Sequence, residues 1–183
     1  MRLKLTAAQA AEPISLDAAK GFLRVDSADE NAYIGALITA ARQFVESSTL
    51  RALLTQTWEM TLDEAREEVR IPRPPLQEVT KIEWINEAGV KSVVSSSTYD
   101  VELAQGAPGR VRLRTGCVWP IHRGFASFIV TFKAGYGDDA AAVPAGLVEA
   151  IRQVLAHFYS GRPAEDLPAG VFALTRPYKV IWL

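Results

Sequence analysis

The stretch Val45-Glu46-Ser47-Ser48-Thr49-Leu50-Arg51-Ala52-Leu53-Leu54-Thr55-Gln56-Thr57-Trp58-Glu59-Met60-Thr61-Leu62 is where the hydrophobic period of the chain changes. On its N-terminal side Ile34, Leu37, Ile38, Ala41, Phe44 and Val45 recur every three or four residues and form one apolar stripe. That spacing predicts a helix over 28–47, opened by the capping-box pattern Ser27-Ala28-Asp29-Glu30. Asn31, Thr39, Arg42, Gln43 and Glu46 fall mainly off the stripe, which is too wide for a two-stranded coiled-coil seam and suits a globular core. On the C-terminal side Trp58, Met60 and Leu62 alternate with Thr57, Glu59 and Thr61, the period of a half-buried strand.

Working outward, Leu16, Ala19, Phe22 and Leu23 predict a short helix over 16–24, with Ser15 placed to cap it and Asp17 in its first turn. Downstream, Pro72-Arg73-Pro74-Pro75 suits neither a helix nor a ladder, and reads as an extended link. Strands are expected over 79–86, 90–94, 99–103, 110–114 and 125–134, ending at Gly135-Tyr136-Gly137. Pro144 then suits a helix first turn, and Leu147, Ile151, Val154, Leu155 and Phe158 predict a helix over 144–160, stopped by Gly161-Arg162-Pro163. A single helical turn is expected over 170–175. The expected class is α+β: a discontinuous helical core, 1–53 with 139–183, and an antiparallel β-rich insertion over 54–138. Two separate domains would leave each helical flank with too little apolar area to fold alone.

Of the 183 residues 49% are apolar and 22% charged, a balance that supports a packed core. The net charge of −1 gives no overall steering toward nucleic acid or an anionic membrane. Cys117 is the single cysteine, so no intrachain disulfide or multi-cysteine zinc site exists, which suits a reducing cytoplasm. Residues 1–13 have no long apolar run, so no signal peptide is expected, and no stretch approaches the roughly 20 apolar residues of a membrane span.

Catalytic signals are weak. His157 has Gln153 and Val154 on one side and Ser160 and Gly161 on the other at helical spacing, so no second metal ligand shares its face. Cys117 and His122 are a remote nucleophile–base pair without a third orienting group. Asp63, Glu64, Glu67 and Glu68 read as a solvated connecting segment, and no phosphate-binding loop is present. No catalytic residue, cofactor or metal is expected. Arg110, Arg112 and Arg114 alternate with Val111 and Leu113 and should leave one strand face together, with Arg123 following in the next loop. They read either as an ordinary exposed sheet face or as a basic strip for a DNA backbone or an acidic partner. The apolar end Tyr178-Lys179-Val180-Ile181-Trp182-Leu183 either folds back on its own core or inserts into a neighbour.

Several pieces, in this order, resemble the head–tail connector (adaptor) proteins of long-tailed phages and phage-derived gene transfer agents. They are residues 14–20 with Leu23-Arg24-Val25-Asp26, residues 40–46, Leu54-Thr55-Gln56-Thr57-Trp58-Glu59, and Ile71-Pro72-Arg73-Pro74-Pro75-Leu76. The pattern continues through Tyr99-Asp100-Val101, Gly109-Arg110-Val111, Trp119-Pro120, residues 130–137, Val143-Pro144 with Ile151, and His157-Phe158-Tyr159. The resemblance spans about 14–183 and implies a structural, non-enzymatic role. Such proteins form a homo-oligomeric ring of about twelve copies beneath the portal protein, built from head-to-tail contacts. Helices 28–47 and 144–160 would be the rigid elements presenting those contacts. The resemblance further implies a neck, stopper or tail-terminator protein as next partner, and transient passage of double-stranded DNA, with no membrane. It implies a place at the head–tail interface of a virion or phage-like particle made in a bacterial cytoplasm. In some relatives the C-terminal segment docks on the portal, which maps onto residues 169–183 and makes Phe172, Tyr178, Val180, Ile181, Trp182 and Leu183 the candidate contacts. Arg110, Arg112, Arg114 and Arg123 are then a candidate DNA-channel or acidic-partner strip. The alternative is a small nucleic-acid-binding β module with helical flanks.

Overall fold

The structure, a computed structural model, describes residues 1–104, 106–161 and 166–181. In chain order the elements are β1 (Arg2–Ala7), α1 (Leu16–Leu23), α2 (Asn31–Thr49), β2 (Gln56–Leu62), β3 (Glu68–Ile71), β4 (Leu76–Ile85) and β5 (Lys91–Val93). They continue with β6 (Tyr99–Glu102), β7 (Gly109–Leu113), β8 (Phe128–Ala134), α3 (Ala145–Tyr159) and α4 (Ala169–Thr175). The fold is α+β, with the antiparallel strands falling mainly in the middle of the chain. It divides into a β unit, 1–8 with 55–135, and a helical unit, 9–54 with 136–183.

In the β unit five strands run in the order β1-β2-β8-β4-β5 and three in the order β3-β7-β6. Every pairing is antiparallel. Phe128, Val130 and Phe132 of β8 are buried with Met60 of β2 and Ile82 of β4, as the alternation requires. Placing residues 1–8 with the helices is corrected here: β1 pairs Leu3 with Met60 and Lys4 with Glu59 on the edge of the sheet. Its Leu3, Leu5 and Ala7 do alternate with Arg2, Lys4 and Thr6, a strand period in the sequence, although as an edge strand it exposes five of its six residues. The acidic run is corrected in part as well. Glu68 begins β3, whose Val69 and Ile71 turn inward while Val69 pairs with the fully buried Val111. Gly109 opens β7 where the chain passes so close to Leu76 that a β-carbon would lie 2.8 Å from Leu76 Cβ.

In the helical unit, Ser15 Oγ accepts from the Ala18 amide at 3.2 Å and caps α1 as expected. Arg24 ends it in the left-handed conformation, with the Val25 amide closing on Lys20 O, a C-terminal closure made without glycine. The capping box does not form. Ser27 Oγ accepts from the Asp29 amide in a local turn, and α2 begins three residues later than the sequence predicts, at Asn31. The unit's core gathers Ile34, Ile38, Ala41 and Val45 of α2, Leu53, Leu54, and Leu147, Ile151, Val154 and Leu155 of α3. Arg42 and Glu46, set off the stripe by periodicity, are nevertheless buried. Arg42 donates to Glu12 at 2.8 Å and to Glu46 at 2.7 Å, and Glu46 accepts the Leu53 amide at 3.0 Å.

Candidate interaction surfaces

The arginine face is built by register. Across β3, β7 and β6, Glu68 and Asp100 oppose Arg112, and Arg70 and Glu102 oppose Arg110. Their partners in the alternation, Val69, Val111 and Tyr99, are buried on the other side. Three guanidinium groups do come to one face, as the spacing predicts, but each meets a carboxylate. Arg110 bonds Glu102 and lies 3.2 Å from Glu68; Arg112 lies 3.2 Å from Glu67; Arg114 lies 2.8 Å from Asp100. The hydrogen bond and charge of Glu102, and the charge of Glu68, hold the Arg110 guanidinium above its ordinary range. The face is therefore a charge-compensated lattice, in which the acidic residues come from strands β3 and β6 and from Glu67. Periodicity along β7 alone shows one row of this pattern; the cross-strand neighbours that neutralise it are set by the fold. Arg123 is not part of this face. It sits beside the end of β4, its amide donating to Ile85 O and its guanidinium to Ala126 O.

The candidate C-terminal contacts divide into two kinds. Val180 is buried and its amide donates to Thr49 O at 3.0 Å. Tyr178 is half-buried against the helical core, and its carbonyl accepts from the buried Arg51. These two side chains are committed to their own unit. Phe172, 52% exposed on α4, and Ile181, 72% exposed, face outward. Trp182 and Leu183 lie outside the described residues.

One surface had no counterpart in the sequence reading. Between β7 and β8 the chain has no regular structure, yet it is fixed at several points. Trp119 Nε1 donates to Arg66 O at 2.8 Å, the Ala126 amide donates to Asp63 at 3.0 Å, and Ser127 Oγ bonds Arg123 O. This pinned segment exposes Val118 and Ile121 at 81% and Phe125 at 75%. A non-periodic run of large apolar residues around Trp119-Pro120 was the available signal. Periodicity does not reveal it, because periodicity detects only residues that share a face of a regular element.

The weak chemical candidates gain nothing. His122 packs its ring edgewise on Phe128 at 4.8 Å, with Nδ1 2.8 Å from Arg123 O, and His157 is buried in α3. Among the described residues no cluster of three histidine, cysteine or acidic side chains has the geometry to hold a metal, and no helix is long and apolar enough to cross a membrane.

No protein-family model matches the sequence, and no curated protein matches it either. Solved structures do. A chain in the neck of an empty gene transfer agent particle, computed with C6 symmetry, is 23% identical over 100% of this chain and 97% of its own, with a TM-score of 0.86. A chain of the virion of a native gene transfer agent particle is 24% identical over the same shares, with a TM-score of 0.84. A chain in the neck of the native particle, computed with C12 symmetry, is 23% identical, again over 100% and 97%, with a TM-score of 0.80. At these identities the likeness establishes the fold.

Proposed function

We propose that this chain is a structural head–tail connector subunit of a tailed phage or phage-like particle, forming a ring between portal and tail components. The observation that carries the reading is the end-to-end likeness, helical unit and β unit together, to chains from particle necks of sixfold and twelvefold symmetry. A ring of about twelve copies is a closed assembly in which each subunit offers two different surfaces. The exposed apolar side chains of the 114–127 segment and of the C-terminal edge are suited to such contacts, because apolar anchors on a fixed backbone lose little entropy on binding. The portal protein is the partner assigned to Phe172 and Ile181, and a stopper or tail-terminator protein is the next component. The compensated arginine face argues against the nucleic-acid-binding module and is compatible with DNA passing without being held. The role requires no catalytic residue.

The test is co-sedimentation of the purified chain with the portal protein encoded in the same gene cluster, followed by electron microscopy of the complex. Ring-shaped density on one end of the portal is expected. Absence of binding, both with the full chain and with a chain lacking residues 169–183, would overturn the proposal.

A further inference from the structure

The end of the helical unit is tied down in an unusual way. Arg51 is 4% exposed, follows directly on the left-handed Leu50 that closes α2, and donates through Nε to the Tyr178 carbonyl. Burial raises the Tyr136 hydroxyl above its ordinary range, and the charge of Arg51 opposes that rise. Two residues before Arg51, Thr49 O accepts the Val180 amide at 3.0 Å. The main-chain groups on both sides of Lys179 are therefore held by the last residues of α2 and its cap. Tyr178 in turn lies over Gly146 of α3, where a β-carbon would come within 3.3 Å of its hydroxyl oxygen. The next described residue, Ile181, is outside in water.

We propose that Arg51 is a positioning residue for the partner-binding end of the chain. It fixes residues 176–180 as a strap on the helical unit, so that Ile181 leaves from one place and, with Phe172, meets the portal protein. Tyr178 and Val180 belong to the anchor and not to the contact. The inference rests on the connector reading for the identity of the partner and on the geometry alone for the strap. A donor is needed at position 51 because the Tyr178 carbonyl accepts from Arg51 there, and an aliphatic side chain would leave that carbonyl unserved.

The experiment uses the full chain and trypsin, read by intact mass. Lys179 is exposed as a side chain, so cleavage after it is limited by release of the strap. The unaltered protein should lose residues 180–183 slowly, and Arg51→Met should speed that loss roughly ten- to a hundredfold while cleavage at Lys20 is unchanged. Val180→Gly removes the buried side chain that seats the strap, leaves Arg51 untouched and keeps a cleavable bond after Lys179, and should do the same if the Arg51 variant fails to fold. In the portal co-sedimentation assay Arg51→Met should weaken binding, and it should have no further effect in a chain that ends at Val180. A merely structural role would weaken both chains alike. Rapid cleavage at Lys179 in the unaltered protein, or equal portal binding by the Arg51 and unaltered chains, would overturn the inference. If the unaltered chain does not bind portal at all, the connector reading fails and the partner half of this inference with it, while the protease arm still decides on the strap.

Discussion

Replacing Glu46 by alanine strikes the helical unit where its core is polar. Glu46 is 8% exposed and accepts from Arg42 at 2.7 Å and from the Leu53 amide at 3.0 Å. Breaking a buried ion pair by removing one partner costs about 3–5 kcal/mol, because the remaining charge stays buried. Here Arg42 keeps Glu12 at 2.8 Å, a partner whose side chain is 28% exposed, so the pair contributes less than that full range. We take about 2 kcal/mol for it and add about 1–3 kcal/mol for the orphaned Leu53 amide. The sum, about 4 kcal/mol, is a large part of the stability of a domain this size. Urea unfolding followed by circular dichroism at helical wavelengths should show the loss as a lowered midpoint with an unchanged slope. The double variant Arg42→Met/Glu46→Leu removes both buried charges and leaves the Leu53 amide without its acceptor, while Glu12, 28% exposed, loses its cation but keeps access to water. It should cost about 1–3 kcal/mol, less than Glu46→Ala alone. A loss below about 1 kcal/mol for Glu46→Ala, or a double variant as damaged as the single, would refute the assignment of Glu46 as the shared acceptor.

Gly109→Ala should destabilise the β unit by about 1–3 kcal/mol, since Leu76 must give way and its Cδ2 would come to 2.3 Å of the new β-carbon; denaturant titration followed by tryptophan fluorescence reads it. The protein should not retard double-stranded DNA at low salt, whereas Glu68→Gln/Asp100→Asn/Glu102→Gln should, with a steep salt dependence, because it leaves the arginines of that face largely uncompensated. Val118→Ser/Ile121→Ser/Phe125→Ser should leave the unfolding midpoint unchanged, because those side chains are already in water, and should weaken assembly into rings, measured by light scattering in the presence of portal.

Where a residue's neighbours in space are also its neighbours in sequence, the sequence was readable. The stripe Ile34, Ile38, Ala41 and Val45, the Ser15 cap and the alternation Phe128, Val130 and Phe132 all stand as periodicity and capping rules require. What was not legible depends on distant partners. Arg42 and Glu46 look like solvent-face residues until Glu12 and the Leu53 amide are brought to them. The arginines of β7 look basic until Glu68, Asp100 and Glu102 arrive from two other strands. β1 alternates Leu3, Leu5 and Ala7 with Arg2, Lys4 and Thr6, so its strand period is legible, but its place beside β2, more than fifty residues downstream, is not. At the candidate sites, the apolar C-terminal end was visible as a composition. Its division into anchor and outward-facing residues is set by Thr49 and Arg51, more than a hundred residues upstream.

The register of β2 with β8 has a consequence for how the chain is assembled. Gln56 stands opposite Ala134, so the two ends of the inserted strands are cross-strand neighbours, and the Tyr136 amide reaches Leu53 O at 3.0 Å. For the helical unit, bringing its two sequence halves together across a flexible excursion of roughly 80 residues would cost about 4 kcal/mol in chain entropy. Pairing β2 with β8 removes that cost, because the β unit delivers the second half of the helical core next to the first. The insertion thus acts on the helices as a covalent staple would: it shortens the effective loop to a turn. The part of the molecule richest in long-range pairings thereby makes the helical part behave, entropically, as though its sequence were continuous.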